Sequence, residues 1–312
     1  MISKKPNLTN PKLLDAFNDL ELERRKRKIE NIDYWRALNP DFSITDNPFP
    51  ENVIPYSIAE NQMEDHLVQI KKEGYFQTQP IIPQNELLRL EDCIREIIRH
   101  GHKSNYALLY DEFYVVMGKL EQVLSPVLGR NYQLVPDEFG VFYIPNGDAS
   151  MGTKPHRDTL GESWTIKSDG SPNLVNVWIP ITDATTLNSC IYVIPANLDP
   201  DFAKGEVIAE KRLKVSLQDI RALPAKAGSI LCWTPHLLHW GARSSRWATT
   251  PRISFAMYFQ SREVEPYHKV TMDIPSKIPF EYRLYLLEKF RRDPEGLESK
   301  FSSLQETMRK KP

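Results

Sequence analysis

The chain has 312 residues, 41% of them hydrophobic and 26% charged, with a formal net charge of −1. That balance suits a globular protein with a large core and excludes a disordered chain or a strongly basic nucleic-acid binder. Its three cysteines, Cys93, Cys190 and Cys232, are far apart and form no CxxC, which excludes a disulfide framework and suits reduced thiols in the cytoplasm. No run approaches the roughly 18 apolar residues of a membrane span, and the N-terminus has no apolar core of a signal peptide. No membrane and no nucleic-acid partner are expected.

The 24 prolines and 13 glycines fall mostly between short apolar runs, which favours many short strands over a helical bundle. In chain order, residues 11–38 read as a helix with apolar positions at Leu13, Leu14, Phe17, Leu20 and Leu22, and its ERRKRK cluster reads as a solvated face. Prolines interrupt 46–56, and 57–73 reads as a short helix. GYFQTQPIIP (74–83) reads as a strand, 84–101 as an amphipathic helix stopped by Gly101, and 113–129 as a further helix. From 132 the texture becomes β-branched and aromatic, in runs such as NLVNVWIPIT, CIYVIPA, SILCWTPHLLHW and RISFAMYFQ. A polar insertion, 197–228, carries a short helix at SLQDIRAL, and 279–312 returns to helix with a charged tail. The expected organisation is a helical extension (1–70) packed on a β-core domain (71–278) of about eight strands, with a helical tail (279–312).

Residues 154–164 read KPHRDTLGESW. On a strand, His156 and Asp158 point to the same face, and Arg157 points away. Two further histidines, His236 and His239, lie in WTPHLLHWGA and could complete a metal site. Two histidines and one carboxylate, with one face left open, is the pattern of non-haem Fe(II) oxygenases. Beyond them, PRISFAMYF places Arg252 and Ser254 two apart, a guanidinium and a hydroxyl suited to a buried carboxylate such as the far end of 2-oxoglutarate.

HRD, NVWIPITDATTLNSCIYVIPAN, AGSILCWTPHLLHWGA and PRISFAMYF together resemble the phytanoyl-CoA dioxygenase family of Fe(II)/2-oxoglutarate oxygenases, over roughly residues 70–262. GYFQTQPIIPQNELLRLEDCIREII is similar to that family's opening strand and helix. The resemblance implies a double-stranded β-helix, or jelly-roll, core flanked by helices. It implies His156, Asp158 and His239 as iron ligands, Arg252 as the partner of the 2-oxoglutarate carboxylate and Ser254 as its hydroxyl helper. Trp178 matches the aromatic that lines the cosubstrate pocket, and Tyr143 in FGVFYIP is a candidate for the same pocket. Halogenating relatives replace the carboxylate ligand with a small residue, so Asp158 implies hydroxylation instead. The family commonly has a glycine where this chain has Ser189, and Pro-Gly-Ser-His where it has Pro195-Ala196-Asn197-Leu198; both departures bear on the substrate.

His236 is then a packed or hydrogen-bonded core histidine, and Arg243 and Arg246 are solvated surface. The expected activity is Fe(II)- and 2-oxoglutarate-dependent hydroxylation, with O2, of a small molecule such as a biosynthetic intermediate. Its rivals are a fatty acyl-CoA hydroxylase, a non-catalytic jelly-roll binding module and, last, a hydrolytic zinc site. The extension, the insertion and the tail are each candidate lids, and the oligomeric state is not legible.

Overall fold

The computed structural model describes residues 26–50, 52–147, 152–158, 162–205, 214–267 and 271–288. The start of the helix expected over 11–38 and the tail beyond 288 lie outside these. In chain order come α1 (Ile32–Leu38), α2 (Glu60–Glu73), β1 (Tyr75–Gln77), α3 (Gln84–Arg99), a 3-10 turn (Ser104–Leu109), α4 (Asp111–Gly118), α5 (Glu121–Leu128) and β2 (Tyr132–Ile144). They are followed by β3 (Leu174–Pro180), β4 (Ile191–Ile194), β5 (Arg221–Leu223), β6 (Leu231–Trp233), β7 (Leu238–Gly241), β8 (Arg252–Ser261) and α6 (Phe280–Glu288).

The strands form two antiparallel sheets, one of order β1-β6-β3-β8-β2 and one of order β5-β4-β7. Every residue of β3 and β8 is buried, so the larger sheet is covered on both faces. Alternate side chains explain how. Val175, Val177, Ile179, Phe255, Met257 and Phe259 join the helices in the main core. Trp178, Leu231, Trp233 and Ala256 point the other way, into a second core shared with Ile191, Val193 and Leu223 of the smaller sheet. The architecture is therefore a mixed one: a helical layer, a large sheet and a small sheet. α3 shows how the first layer is attached, since Leu87, Leu90, Cys93, Ile94 and Ile97 form its buried stripe.

Several expected elements differ. The helix expected over 11–38 is broken at residues 30–31, where Asn31 Oδ1 accepts from Asp33 N (2.9 Å) and caps α1, and the strand expected over 74–83 is confined to Tyr75–Gln77. The helix over 113–129 is two helices, because the Lys119 carbonyl at their junction accepts from Tyr56 N (2.9 Å) in the preceding crossing segment. SLQDIRAL is not helical throughout. Ser216 caps a short 3-10 turn at Leu217–Asp219, and the backbone of Arg221–Leu223 is taken by β4 as the strand β5, so the insertion supplies an edge to the small sheet.

Arg283 of α6 ties the chain ends to the core. Its fully buried guanidinium donates to Ile278 O (2.7 Å), Leu109 O (2.7 Å), Asp111 Oδ1 (2.7 Å) and Thr45 O. Removing it takes a donor from three carbonyls and the counter-charge from Asp111, which keeps only the bonds from Thr45 N and Oγ1. Arg283→Met should therefore lower the unfolding free energy by about 3–5 kcal/mol in a denaturant titration; a loss below about 1 kcal/mol would show that the network carries little.

Candidate metal centre and its cavity

His156 and His239 face each other across an isolated antiparallel bridge, with reciprocal N–H···O bonds of 3.0 Å each. β7 supplies His239, and the bridge turns both imidazoles to one side with ring centroids 4.3 Å apart. Asp158, two residues on, shares that side. Its Oδ1 lies 3.4 Å from His156 Nε2 and 3.5 Å from His239 Nε2. One ligand atom from each residue falls within 4.8 Å of the other two.

The outer bonds decide which atoms are free. His156 Nδ1 meets the Lys154 carbonyl at 2.7 Å and His239 Nδ1 meets the Leu237 carbonyl at 3.0 Å. A carbonyl only accepts, so each Nδ1 carries the proton and each Nε2 offers a lone pair inward. Asp158 Oδ2 accepts from Trp233 Nε1 (2.9 Å) and Asn176 Nδ2 (3.2 Å), while Oδ1 faces the two Nε2 atoms. Burial pushes the Asp158 pKa up, but His239, His156 and the Trp233 bond outweigh it and hold the carboxyl well below the usual carboxylate range. Burial also draws His239 below the usual imidazole value, which favours the neutral, ligating form.

Arg157 points away, as alternation requires. It is buried against Asp199, with bonds of 2.7 and 3.1 Å, and also donates to the His236 carbonyl. His236 is not at the centre. Its Nδ1 meets Phe202 O (2.9 Å), and its Nε2 lies near Thr165 Oγ1 (3.0 Å) and Glu162 O (3.3 Å). It braces two loops on the far side of the bridge.

A cavity of about 370 Å³ opens onto His156, Asp158 and His239. Its lining includes Arg252, Trp178 and Ile144. Arg252 is 3% exposed, lies 5.6 Å over the Trp178 ring, and donates to Ser254 Oγ (2.5 Å) and Ser189 O (3.1 Å). No acidic side chain among the described residues pairs with it, and burial lowers its pKa to about 10. An unpaired buried cation of this kind is costly until an anion arrives. Asn105, Glu138, Phe139, Phe142 and Tyr258 also line the cavity, with Tyr258 beside Asp158. Tyr143 is not at the cavity, contrary to expectation. It packs on the main core from the opposite face of β2, and its neighbours Phe142 and Ile144 take the inward positions. Arg243 and Arg246 are exposed and lie off the cavity; Arg246 stacks on Trp247 at 4.7 Å. No described residue of the N-terminal extension, the 197–228 insertion or α6 lines the cavity.

Asn176 and Trp233, the two residues that aim Asp158, were not singled out by sequence. Asn176 carried a signal, since it stands two positions before Trp178 on the same strand face.

The chain belongs to the phytanoyl-CoA dioxygenase family, whose model matches residues 71–248. The match includes His156, Asp158 and His239; Arg252 and Ser254 lie beyond it and stand on the geometry. No curated protein matches the chain. Among solved structures, the non-heme monooxygenase ThoJ in its nickel complex is similar with a TM-score of 0.52 at 15% identity, over 78% of this chain and 97% of that one. AviO1 from Streptomyces viridochromogenes Tue57 gives 0.51 at 15% identity, over 67% and 99%. The non-heme alpha ketoglutarate dependent epimerase SnoN from nogalamycin biosynthesis gives 0.50 at 16% identity, over 65% and 84%. At these identities the likeness is one of fold.

The site makes a ranked prediction for metal affinity, read by competition with a chelator. His239→Ala should weaken binding more than about 100-fold, and Asn176→Ala by about 10- to 100-fold through a misaimed Asp158. His236→Ala should leave affinity within about threefold and lower the melting temperature instead. The reverse ranking of the two histidines would overturn the ligand assignment.

Proposed function

We propose that the chain is an Fe(II)- and 2-oxoglutarate-dependent dioxygenase with a double-stranded β-helix core, and that it hydroxylates an unactivated C–H of a small molecule. One observation carries this. A single cavity joins an open His-Asp-His face to a buried guanidinium that has no acidic partner among the described residues. 2-Oxoglutarate has the two groups this arrangement requires, a keto acid that chelates and a distant carboxylate that pairs.

The donor set fits Fe(II): two imidazoles with Nε2 turned inward and one ionised carboxylate on one face. When bound, Fe(II) with 2-oxoglutarate and O2 supplies the oxidising chemistry, releasing succinate and CO2 and placing one oxygen atom in a C–H bond. The chain's own work is positional. His156, Asp158 and His239 hold the metal from one side and leave the cavity side open. Arg252 and Ser254 anchor the far carboxylate while Trp178 walls the cosubstrate. Asp158 fills the third ligand position with a carboxylate, which supports hydroxylation over halide transfer.

A non-catalytic binding module would have to bury Asp158 and Arg252 with no ion to compensate either, which the cost of interior charge disfavours. For the substrate, the cavity lining mixes aromatic Phe139 and Phe142 with polar Asn105, Glu138 and Tyr258. That lining suits a compact ring-bearing metabolite with hydroxyl or amine groups better than a long acyl chain. We place the enzyme in the cytoplasm, where its three free, buried cysteines would stay reduced, and assign 71–278 as the oxygenase domain. No described helix is long and apolar enough to cross a membrane.

Anaerobic addition of Fe(II) and then 2-oxoglutarate to apo protein should produce a weak visible charge-transfer band that needs both. The band should be lost in His156→Ala and strongly reduced in Arg252→Ala. Absence of the band together with absence of iron affinity would overturn the reading. In a substrate screen by succinate release, stimulation by acyl thioesters alone would overturn the assignment of substrate class.

A further inference from the structure

Ser189 lies in the loop between β3 and β4 with φ 76°, the one non-glycine residue among those described with a positive φ. It is fully buried. A side chain is strained in this left-handed conformation, whereas glycine adopts it freely. This chain thus keeps a hydroxymethyl group where backbone sterics oppose it.

Its contacts supply a reason. Ser189 O accepts from Arg252 Nε at 3.1 Å, and Ser189 Oγ lies 3.4 Å from Arg252 Nη2. The hydroxyl proton is committed elsewhere, to the Ala242 carbonyl at 2.5 Å, so Oγ turns a lone pair to the guanidinium. Ser254 Oγ takes a third N–H, on Nη1, at 2.5 Å. A guanidinium has five N–H donors. These three bonds leave one N–H on each terminal nitrogen, the pair that grips a carboxylate with two parallel bonds. The loop itself is anchored: Asn188 Oδ1 accepts from Thr185 N (2.6 Å), its Nδ2 donates to Asp183 O (2.9 Å), and Cys190 N bonds Thr185 O (2.9 Å).

We propose that Ser189 is a positioning residue for the cosubstrate, holding the Arg252 guanidinium by its side edge so that the two remaining N–H groups present a fixed fork to the far carboxylate of 2-oxoglutarate. This rests on the reading of Arg252 as the cosubstrate anchor. A glycine would keep the carbonyl bond and lose both Oγ bonds, to Arg252 and to the Ala242 carbonyl, so the side chain's contribution can be tested without removing the loop.

The experiment is anaerobic calorimetry on full-length, Fe(II)-loaded Ser189→Gly and Ser189→Ala, titrated with 2-oxoglutarate and with pyruvate, a 2-oxo acid that lacks the far carboxylate. Both variants should bind 2-oxoglutarate about five- to tenfold more weakly, the loss expected for one hydrogen bond of ordinary strength, since the bond to Arg252 is long. Pyruvate and Fe(II) affinities should stay within about twofold of the unaltered protein, and Ser189→Gly should melt no lower, because its backbone strain is relieved. Unchanged 2-oxoglutarate affinity in Ser189→Gly, or an equal loss for pyruvate, would overturn the proposal and leave the Arg252 anchor standing. Arg252→Gln is the separate arm: if it binds 2-oxoglutarate normally, the anchor itself falls and the role of Ser189 with it.

Discussion

Two backbone hydrogen bonds between His156 and His239 are the constraint on which the site depends. The segment around His156 belongs to no regular strand, yet for this one pair of residues it behaves as one. The bridge fixes both Cα–Cβ directions, so the imidazoles emerge on one side, and strand alternation then delivers Asp158 to the same side. Side-chain bonds to Lys154 O and Leu237 O select the tautomers. A metal face is thus specified by backbone pairing first and by side-chain chemistry second, which is how a precise site can stand beside a loop.

Charge is distributed around that bridge in an unequal way. On the outer side, Arg157 and Asp199 are buried together and satisfy each other, apart from Arg157 Nε, which has no partner. On the inner side the charges are separated. Asp158 is stabilised by dipoles and imidazoles, and Arg252 by hydroxyls and a carbonyl. Pairing them directly would neutralise both and close the cavity. Kept apart, each retains attraction for a ligand of opposite charge, so the cavity holds a cation site and an anion site at once. The outer pair is structural for the same reason that the inner groups are receptive.

Much of this was legible in the sequence because it rests on period-two alternation and on residue chemistry. His156 and Asp158, Arg252 and Ser254, and the outward turn of Arg157 all follow from residues two apart sharing a face. Legibility ended where long-range pairing decides. Tyr143 and Phe142 are both aromatic on the same strand, and β2 shifts register between Val135 and Gly140, so local pattern does not say which faces the cavity. The RAL segment has no strong preference, and it becomes β5 because β4 has an edge to fill. Asn176 and Trp233 read as strand residues, and their role appears only when β3 and β6 pair beneath Asp158. Ser189 was visible as a departure, but its meaning needed the backbone angle and the position of Arg252.

The lining of the cavity is built from different materials. Arg252 and Trp178 stand on β8 and β3, at the centre of a sheet buried on both faces. Asn105 stands on the 3-10 turn before α4, which grips β2 through Ser104 Oγ to Val141 O (2.5 Å) and Val141 N to Asn105 Oδ1 (2.7 Å). That turn is in turn held from outside the stretch matched by the family: Trp35 of α1 stacks on Tyr106 at 5.0 Å, and Arg283 and Glu288 of α6 bond Leu109 O and Tyr106. The flanking helices therefore do not cover the cavity with any described residue, yet they set the wall against which a substrate would rest. Change in those helices can shift the turn that carries Asn105 while Arg252 and Trp178 keep their place in the sheet. A shared reaction with a divergent substrate is the outcome that this division of support permits.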